Sequence, residues 1–453
     1  LTLPQIYASA QEVELLRQQF DAGLGSLEQG IGEWIGDLHP GERISTAQWN
    51  NFYLAYQGRD DRPLQERFAN FQRTILETAL APYYVPIARK PRAGRRLRVG
   101  FVSSFFYHCT AGNYFKSWVT KLDPAKFETH VFSLHLNPDA VTREIQQACT
   151  SFRQGAWSFL GLAQAVREAD LDVLVYPELG MHARVFTLAS LRLAPLQCAG
   201  WGHPVTSGHA NIDVGFSSAA MEPEGAEGHY RERLVRLPGI GTCYPRPAIP
   251  DPVPRAALGL PDDAIVYLFP QSLFKVHPDN DELLVEILAR EPRAVIAMFQ
   301  SRYAPITNQC VDRLSRRFAA RGLPTAGRIK LLPNVPHADY LRINLACDAM
   351  LDSLYWSGGN TSLDALACGL PVVTRPGEFM RGRQSAGMLS ILGIPELVVD
   401  SNEAYVETAL RVGRDRAWRE SLRARIVGAS HRLFDEEEPV RALGDFLLGE
   451  FPE

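Results

Sequence analysis

Two blocks of alternating strand-like and helix-like segments constrain the fold of this 453-residue chain more than any other feature. The first block begins near Leu97, and its short β-rich runs are LRVGFVSSF, THVFSLHL, LDVLVYPEL and LQCAGWG. Amphipathic stretches separate these runs, namely AVTREIQQACTSF, LAQAVREAD and RVFTLASLRLA. Near-continuous apolar strands that alternate with helices are typical of sheets buried on both faces, so this block predicts a doubly wound parallel sheet of the α/β class.

A proline-rich stretch, YPRPAIPDPVPRAALGLPDD at residues 244–263, separates the two blocks. Five prolines precede Leu260 and a sixth follows it, which is typical of a stiff linker between domains. The alternation then restarts with the strand-like runs AIVYLFPQ, RAVIAMFQ, RIKLLPNV, CDAMLDSL, PVVTRPG and ELVVD. We expect a second doubly wound sheet here, with helices that begin at Pro278, Asn308, His337, Thr361, Arg381 and Asn402.

The ends of the chain predict helices. Apolar residues recur at helical spacing in SAQEVELLRQQFDAGLGSLEQGI and PLQERFANFQRTILETAL, and the C-terminal residues are also helical in pattern and are expected to pack back across the first domain. We therefore expect a helical N-terminal region at 1–92, Rossmann-like domains at 93–245 and 246–430, and a C-terminal helix at 431–453. The chain lacks an initiating Met and a secretory leader, so we expect it to start inside a larger gene product.

Charge and composition exclude several classes of function. The net charge of −4 and the pI near 6.3 give no electrostatic reason to expect nucleic-acid binding, and we interpret the basic cluster Lys90 to Arg98 as a solvated face. No apolar run approaches the roughly 18 residues that a membrane span needs. Seven cysteines without a C-x-x-C pair favour reduced thiols and a cytoplasmic location.

The segment WSGGNTSLDALACG places glycines and small polar residues at the start of a predicted helix, directly after a predicted strand. Gly358 and Gly359 allow a tight turn and close approach of a ligand to the backbone. Asn360, Thr361 or Ser362 can cap the helix, whose N–H groups then form an anion site. Asp364 lies one turn further on, where it can bind a sugar diol. An ordinary strand-to-helix turn with a polar cap remains the alternative interpretation.

Two other loops of the second block also follow predicted strands. FPQSLFKVHPDN contains Gln271 and Lys275, and the ammonium of Lys275 is suited to neutralise a diphosphate leaving group. NVPHADYL contains His337 and Tyr340, and an aromatic ring at this point can stack on a base. The alternatives are a surface lysine at a helix start and a tyrosine that is half buried in the core.

The first block offers histidines in two loops. His108 lies in VSSFFYHCTAGNYF, and WGHPVTSGHANID carries His203 and His209 with Thr206 and Ser207 between them. A histidine with a near-neutral pKa can orient or deprotonate a hydroxyl, although a lone loop histidine is more often structural. A metal site at His203 and His209 is disfavoured because no Asp, Glu or Cys stands at ligand spacing.

Taken together and in this order, these loops resemble the catalytic region of the O-GlcNAc transferase and SPINDLY family of protein glycosyltransferases. The matching segments are NNFYLAYQGRDDRPLQ, RVGFVSSFF, LRLAPLQCAGWGHPVTSG, YLFPQSLFK, LLPNVPHADYLRINLACDAMLDS and GGNTSLDALACGLPVVTRPGE, so the resemblance covers roughly residues 45 to 430. It implies a GT-B fold, in which two Rossmann-like domains face a cleft, the first on the acceptor side and the second binding a nucleotide sugar. The chain is similar to bacterial members, and it lacks the upstream tetratricopeptide repeats that members usually carry.

The resemblance also implies roles for single residues. Lys275 matches the lysine that contacts the diphosphate, Gln271 lies near the family's glutamine, and Tyr340 stands where many members stack a histidine on uracil. His337 falls near a lysine whose backbone contacts the base, Asn360 and Thr361 match the phosphate-binding turn, Asp364 matches the ribose-binding carboxylate, and His108 matches an active-site histidine. The sequence Gly359-Asn360-Thr361 departs from the His-Thr-Thr of many members and is closer to asparagine-glucosylating relatives, so the sugar stays open.

We therefore expect an inverting, metal-independent and cofactor-free transfer of a hexose or N-acetylhexosamine from a UDP-sugar to a protein side chain, Ser/Thr or Asn. Lys275 stabilises the leaving group in this hypothesis, while His108 and His203 orient the acceptor; Thr206, Gly358 and Gly359 are added to the substrate-binding set. One alternative is a nucleotide-sugar epimerase, for which Glu178 is the best acid/base candidate of the first domain. The other is a non-catalytic nucleotide-sugar-binding scaffold.

Overall fold

The N-terminal region of the computed structural model, which describes residues 1–324 and 326–453, is helical as predicted. Its helices are α1 (Ala10–Ile35), α2 (Pro40–Ala47) and α3 (Arg62–Glu77), with a 3-10 helix at Phe52–Gln57 before α3. The hydroxyl of Ser9 accepts the backbone N–H of Glu12 and so caps α1. Apolar faces of these helices pack on the first lobe of the molecule, where Phe20, Leu24 and Phe68 join its hydrophobic core.

The first lobe is built on seven parallel strands in the order β3-β2-β1-β4-β5-β6-β7. The strands are β1 (Leu97–Ser103), β2 (Phe127–Ser133), β3 (Ser151–Gln154), β4 (Val173–Tyr176), β5 (Leu196–Ala199), β6 (Val214–Ser218) and β7 (Arg233–Leu237). The helices between them are α4 (Thr110–Thr120), α5 (Ala140–Ala148), α6 (Phe159–Glu168) and α7 (Ala183–Leu188). The central strands β1, β4 and β5 are almost entirely buried, which explains why they read as continuous apolar runs.

Three strands of this sheet were missed from the sequence. The stretch AVTREIQQACTSF was assigned wholly to a helix, but α5 ends at Ala148 and the final Ser151 and Phe152 begin β3. β3 and β7 are the edge strands; β3 is only partly buried and β7 carries two arginines, so neither shows an apolar run. β6 is buried, but it is short and ends in two serines, which hid it among loop residues.

The second lobe has five parallel strands in the order β10-β9-β8-β11-β12. They are β8 (Ile265–Phe269), β9 (Ala294–Phe299), β10 (Ile329–Leu332), β11 (Ala349–Leu351) and β12 (Val372–Val373). The helices are α8 (Asn280–Arg290), α9 (Ala304–Ala320), α10 (His337–Ala346), α11 (Asn360–Ala367), α12 (Gln384–Leu392), α13 (Asn402–Arg414) and α14 (Arg416–Ala429).

Most segments of the second lobe fall where the sequence placed them, with two exceptions. The run ELVVD is not a strand: Pro395–Leu397 form a 3-10 helix, and a single bridge joins Val398 to Thr374. Helix α9 begins at Ala304 rather than Asn308, because Pro305 is accommodated in the first turn, where no N–H is needed. The predicted starts at His337 and Asn402 are confirmed.

The C-terminal helix α15 (Glu438–Glu450) returns to the first lobe and packs on α4 and β7. The ring of Phe446 meets the edge of Phe216 with the ring centroids 5.4 Å apart, and Lys121 pairs with Glu437 at 2.6 Å. The chain therefore crosses between the lobes twice, once in the proline-rich linker and once before α15. The domain boundaries at 92, 245 and 430 stay predictions.

Two further properties concern the whole described chain. Among the described residues, no helix is both long and apolar enough to cross a membrane. All seven cysteines are free thiols, five of them buried and two partly buried.

Candidate active site

Two adjoining cavities open where the carboxyl ends of the two sheets face each other. The larger, of about 770 Å³, is bordered mainly by loops that follow β8, β9 and β10 of the second lobe. The smaller, of about 250 Å³, is bordered by both lobes, and Gln271 and Asn360 are among the residues that line both cavities. Ligands of doubly wound sheets bind at this edge, so the cleft is the candidate active site.

Hydrogen bonds to buried hydroxyl and carboxylate groups fix the glycine-rich turn after β11. Asp352 accepts hydrogen bonds from the backbone N–H of Gly358 at 2.7 Å, from the Ser357 hydroxyl at 2.6 Å and from the Thr374 hydroxyl at 2.7 Å. Ser362 in turn contacts the hydroxyl of Ser385 at 2.7 Å. The serines of this polar run therefore fix the turn.

The two glycines allow a close approach that a side chain would block. A Cβ on Gly358 would lie 2.2 Å from the Ser362 hydroxyl oxygen, and one on Gly359 would lie 2.7 Å from Oε1 of Gln384. Helix α11 starts at Asn360, one residue before the predicted Thr361, and the predicted polar cap is wrong because Gly359 is the N-cap and no side chain caps the helix. Its first N–H groups have no partner within the helix. Asn360 and Thr361 at this start both border the smaller cavity, so the positive end of the helix dipole faces the cleft.

Asp364 is buried one turn into α11 and is oriented by two neighbours. Its Oδ2 accepts from Nδ2 of Asn360 at 2.8 Å and lies 3.1 Å from Nε2 of the exposed His337. Its Oδ1 has no hydrogen-bond partner among the described residues, although Asp364 borders the larger cavity. Burial raises the pKa of Asp364, whereas the hydrogen bond to Asp364 raises the pKa of His337. One carboxylate oxygen is thus left to accept a hydrogen bond from a ligand hydroxyl.

The larger cavity has an aromatic wall. The ring of Tyr340 lies 5.5 Å from that of Phe299 and 6.4 Å from the nearly parallel ring of His337, measured between centroids. Gln271 is buried at the junction of the cavities, and its Nε2 donates to the carbonyl of Trp356 at 3.0 Å. This wall has the shape and chemistry to receive a flat heterocycle.

Lys275 brings a positive charge into the smaller cavity. It ends a 3-10 helix at Leu273–Lys275, and its Nζ lies 5.2 Å from the ring centroid of Trp356 and 5.9 Å from that of Phe274. Removal from water lowers the pKa of Lys275 to about 8. Burial is the cause of this lowered pKa, and no carboxylate of the described residues offsets it, so the positive charge is available to an anionic ligand.

The N-terminal region supplies a third side of the cleft, which sequence reasoning missed. Phe52 and Tyr56 border the smaller cavity, and Tyr53 borders the larger one. The ring of Phe52 stacks on His203 with centroids 5.2 Å apart, and Tyr56 lies 4.3 Å from Trp356. The aromatic density of FYLAY, unusual for a short helical segment, was the available signal.

Of the residues predicted for the site in the first lobe, His203 lines the smaller cavity, whereas His108 and Thr206 line neither cavity. His203 is buried at the smaller cavity, and burial lowers its pKa to about 3, so its ring is neutral near pH 7. His108 is exposed and does not border either cavity; its backbone N–H donates to Asp139 at 2.6 Å. Thr206 is turned away from the cleft, because its hydroxyl donates to the buried Glu232 at 2.6 Å. The expected roles of His108 and Thr206 therefore lack support from their positions.

Two residues considered for rival functions, His209 and Glu178, do not line either cavity. His209 is buried against Phe186, with ring centroids 4.5 Å apart, and burial lowers its pKa to about 3. No group of three or more His, Cys, Asp or Glu side chains in the described part of the chain is arranged to hold a metal ion. Glu178 is buried after β4, where burial raises its pKa to about 8, and it does not line either of the two cavities.

Two doubly wound parallel sheets whose carboxyl ends face one cleft are the arrangement of the GT-B fold. Residues 251–441 match the family model described as Glycosyl transferase family 41. The resemblance to the O-GlcNAc transferase and SPINDLY family is thus confirmed.

One curated relative is the probable UDP-N-acetylglucosamine–peptide N-acetylglucosaminyltransferase SPINDLY of Solanum lycopersicum, which is 25% identical over 373 residues. That match covers 79% of this chain but 38% of the relative, so the chain spans less than half of that protein. A mutant O-GlcNAc transferase of Thermobaculum terrenum superposes with a TM-score of 0.71 at 25% identity and covers 98% of this chain and 83% of that one. Sucrose-phosphate synthase of Thermosynechococcus elongatus shares the fold, with a TM-score of 0.52, 14% identity, and 79% and 99% coverage.

Proposed function

We propose that this chain transfers a hexose or N-acetylhexosamine from a UDP-sugar to a Ser, Thr or Asn side chain of a protein, with inversion at the anomeric carbon. The observation that carries the proposal is the convergence of the Lys275 ammonium and the start of α11 on one cavity between the lobes. The names of the tomato and Thermobaculum relatives support N-acetylglucosamine as the first sugar to test.

The nucleotide fits the larger cavity. Its base stacks on the wall formed by Tyr340 and Phe299, and a ribose hydroxyl donates to Oδ1 of Asp364. His337 and Asn360 hold that carboxylate in place. The diphosphate then extends past Gln271, which borders both cavities, toward the start of α11.

The transfer step needs charge stabilisation more than a strong base. The acceptor atom bonds to the anomeric carbon while the bond from that carbon to the diphosphate oxygen breaks, and the nucleoside diphosphate leaves with the electron pair. Lys275 and the N–H groups at the start of α11 neutralise this developing charge in a cavity largely screened from water. His203 is too weak a base to keep the acceptor proton, so we assign it the role of orienting the acceptor. The proton of the acceptor passes to an oxygen of the leaving diphosphate and from there to water.

We further propose that no metal or cofactor is required, because the ammonium and the helix dipole supply the positive charge that a divalent cation would bring. Transfer is therefore expected to persist in EDTA. A cytoplasmic location is part of the proposal and is supported by the seven free thiols.

The function is tested by incubating the protein with radiolabelled UDP-GlcNAc, UDP-Glc, UDP-Gal or GDP-Fuc and a bacterial lysate as acceptor, and counting label in protein. Label from one UDP-sugar is expected, together with a rise in melting temperature caused by that donor alone. An epimerase would instead interconvert sugars without an acceptor, and a scaffold would bind the donor without labelling any protein. Either of these results would overturn the proposal.

A further inference from the structure

Tyr114 presents an unused hydroxyl group to the cleft from the first lobe. The residue lies in α4, is 3% exposed, and borders the smaller cavity. Its hydroxyl oxygen is buried and has no hydrogen-bond partner among the described residues. A buried hydroxyl without a partner is destabilising, so its presence beside a ligand cavity suggests that the partner is a ligand.

The ring of Tyr114 is held firmly by its neighbours. It meets Trp201 edge-on with centroids 4.8 Å apart and packs on Tyr244 at 4.9 Å, and the carbonyl of Tyr114 accepts a hydrogen bond from the Thr242 hydroxyl. The hydroxyl is therefore fixed in position. Burial raises the pKa of Tyr114 well above its usual value, which keeps the group protonated and able to donate.

The hydroxyl points at the anion site of the opposite lobe. A Cβ built on Gly359, immediately before α11, would lie 3.1 Å from the Tyr114 hydroxyl oxygen, so this oxygen is in close range of the turn where the diphosphate is expected. Tyr244, which packs on Tyr114, donates its own hydroxyl to Oδ1 of Asn360 at the same turn. The first lobe thus meets the turn through two tyrosines, one already paired with a protein group and one not.

We propose that Tyr114 is a further catalytic residue, which donates a hydrogen bond from the first lobe to the sugar-linked phosphate of the bound nucleotide sugar. This inference rests on the proposed function, because it assumes a diphosphate at the start of α11. The bond strengthens as negative charge develops on the departing phosphate. Tyr114 therefore completes, from the acceptor side, the charge stabilisation that Lys275 provides from the donor side.

The test compares Tyr114→Phe with Tyr176→Phe. Tyr176, at the end of β4, has an equally buried hydroxyl without a partner in the described chain, but it packs in the core between the first sheet and the N-terminal region and does not border the cavities. Both variants lose one orphan hydroxyl and keep the ring, so neither is expected to melt below the wild type without ligand. Turnover, donor KM, and the affinities for UDP and UMP are then measured by transfer assay and calorimetry.

We expect Tyr114→Phe to lower kcat about 10- to 100-fold and UDP affinity several-fold, with UMP affinity unchanged because UMP lacks the second phosphate. Tyr176→Phe is expected to match the wild type in all four quantities. Unchanged kcat and UDP affinity in Tyr114→Phe would overturn the inference, and so would an equal loss of UMP affinity, which indicates general disruption. Absence of transfer and UDP binding in the wild type would instead overturn the proposed function itself.

Discussion

The two faces of the cleft are built in different ways. On the second lobe, the glycine turn, Asn360, Thr361 and Asp364 come from seven consecutive residues, and Lys275 follows its strand by one short loop. The opposite face combines Phe52 of the N-terminal region with Tyr114 and His203 of the first lobe, which are far apart in sequence. A donor site made of short local motifs can be recognised from sequence, whereas a face assembled from distant residues cannot.

The largest effect is expected at Lys275. It lies on the second-lobe side of the cleft, the donor face, whereas Phe52, Tyr114 and His203 form the opposite acceptor face. Lys275→Met removes the ammonium that balances the leaving diphosphate, and we expect kcat to fall by about 10²- to 10³-fold. The melting temperature without ligand is expected to hold or rise, because a desolvated charge without a carboxylate partner is removed. Transfer assays and thermal melts measure both quantities. Lys330→Met, at an exposed position of β10, is the matched control and leaves turnover unchanged; an equal loss in both variants would contradict the assignment.

A smaller effect is expected from crowding the turn between the faces. Gly359→Ala would place a methyl group 2.7 Å from Oε1 of Gln384 and 3.1 Å from the hydroxyl oxygen of Tyr114. We expect kcat/KM to fall by about 10²-fold, the loss that a misplacement of about 1 Å can cause. Gly428→Ala, where a Cβ meets nothing within 4 Å, is the control. Wild-type kinetics in Gly359→Ala would show that the ligand does not approach this turn.

The pH dependence of kcat/KM is expected to depend on the protonation of Lys275. Because its pKa lies near 8, we expect kcat/KM for the donor to fall about tenfold per pH unit above that value, and this limb to be absent in Lys275→Met. The free energy of unfolding changes with pH in the opposite direction to kcat/KM. The unfolded chain keeps this proton up to about pH 10.4 while the folded chain releases it near 8, so the free energy of unfolding gains a contribution that rises with pH in this window. A flat kcat/KM profile up to pH 10 would contradict the buried position of the ammonium.

The acceptor face is tested at the N-terminal region. Phe52→Ala removes a ring that stacks on His203 and borders the smaller cavity, and we expect kcat/KM to fall about tenfold while UDP affinity is kept. Trp49→Ala, an exposed aromatic residue of the same region with 43% of its surface accessible, is expected to leave both unchanged. If UDP affinity fell with kcat/KM in Phe52→Ala, the division into donor and acceptor faces would be wrong.

The smallest effect on kcat/KM is expected at His108, where the family resemblance and the structure disagree. Resemblance to the family assigns His108 to the active site, but the structure exposes it outside the two cavities. We therefore expect His108→Ala to change kcat/KM by less than about twofold, as is usual for surface substitutions. A loss of a hundredfold or more in the transfer assay would show that the loop after β1 moves into the cleft during the reaction.

Sequence reasoning recovered the features that depend on local patterns. The central strands of both sheets are continuous apolar runs and were predictable. The turn before α11 was predictable from its two glycines, but the polar cap expected there was wrong, because Gly359 is the N-cap. The edge strands β3 and β7 were missed because they lack apolar runs. The assignment of Thr206 to substrate binding lacks support from its position, and nothing near it in sequence indicates Glu232, its hydrogen-bond partner 26 residues away. Phe52 and Tyr114 escaped notice because their function depends on tertiary contacts across the cleft.

The central claim is that a diphosphate lies between Lys275 and the first turn of α11. A crystal structure with bound UDP tests it most directly. The account predicts a phosphate oxygen within about 3 Å of Nζ of Lys275 and of a backbone nitrogen at Asn360 or Thr361. A nucleotide bound elsewhere, or a diphosphate that contacts neither the ammonium nor the helix start, would contradict it.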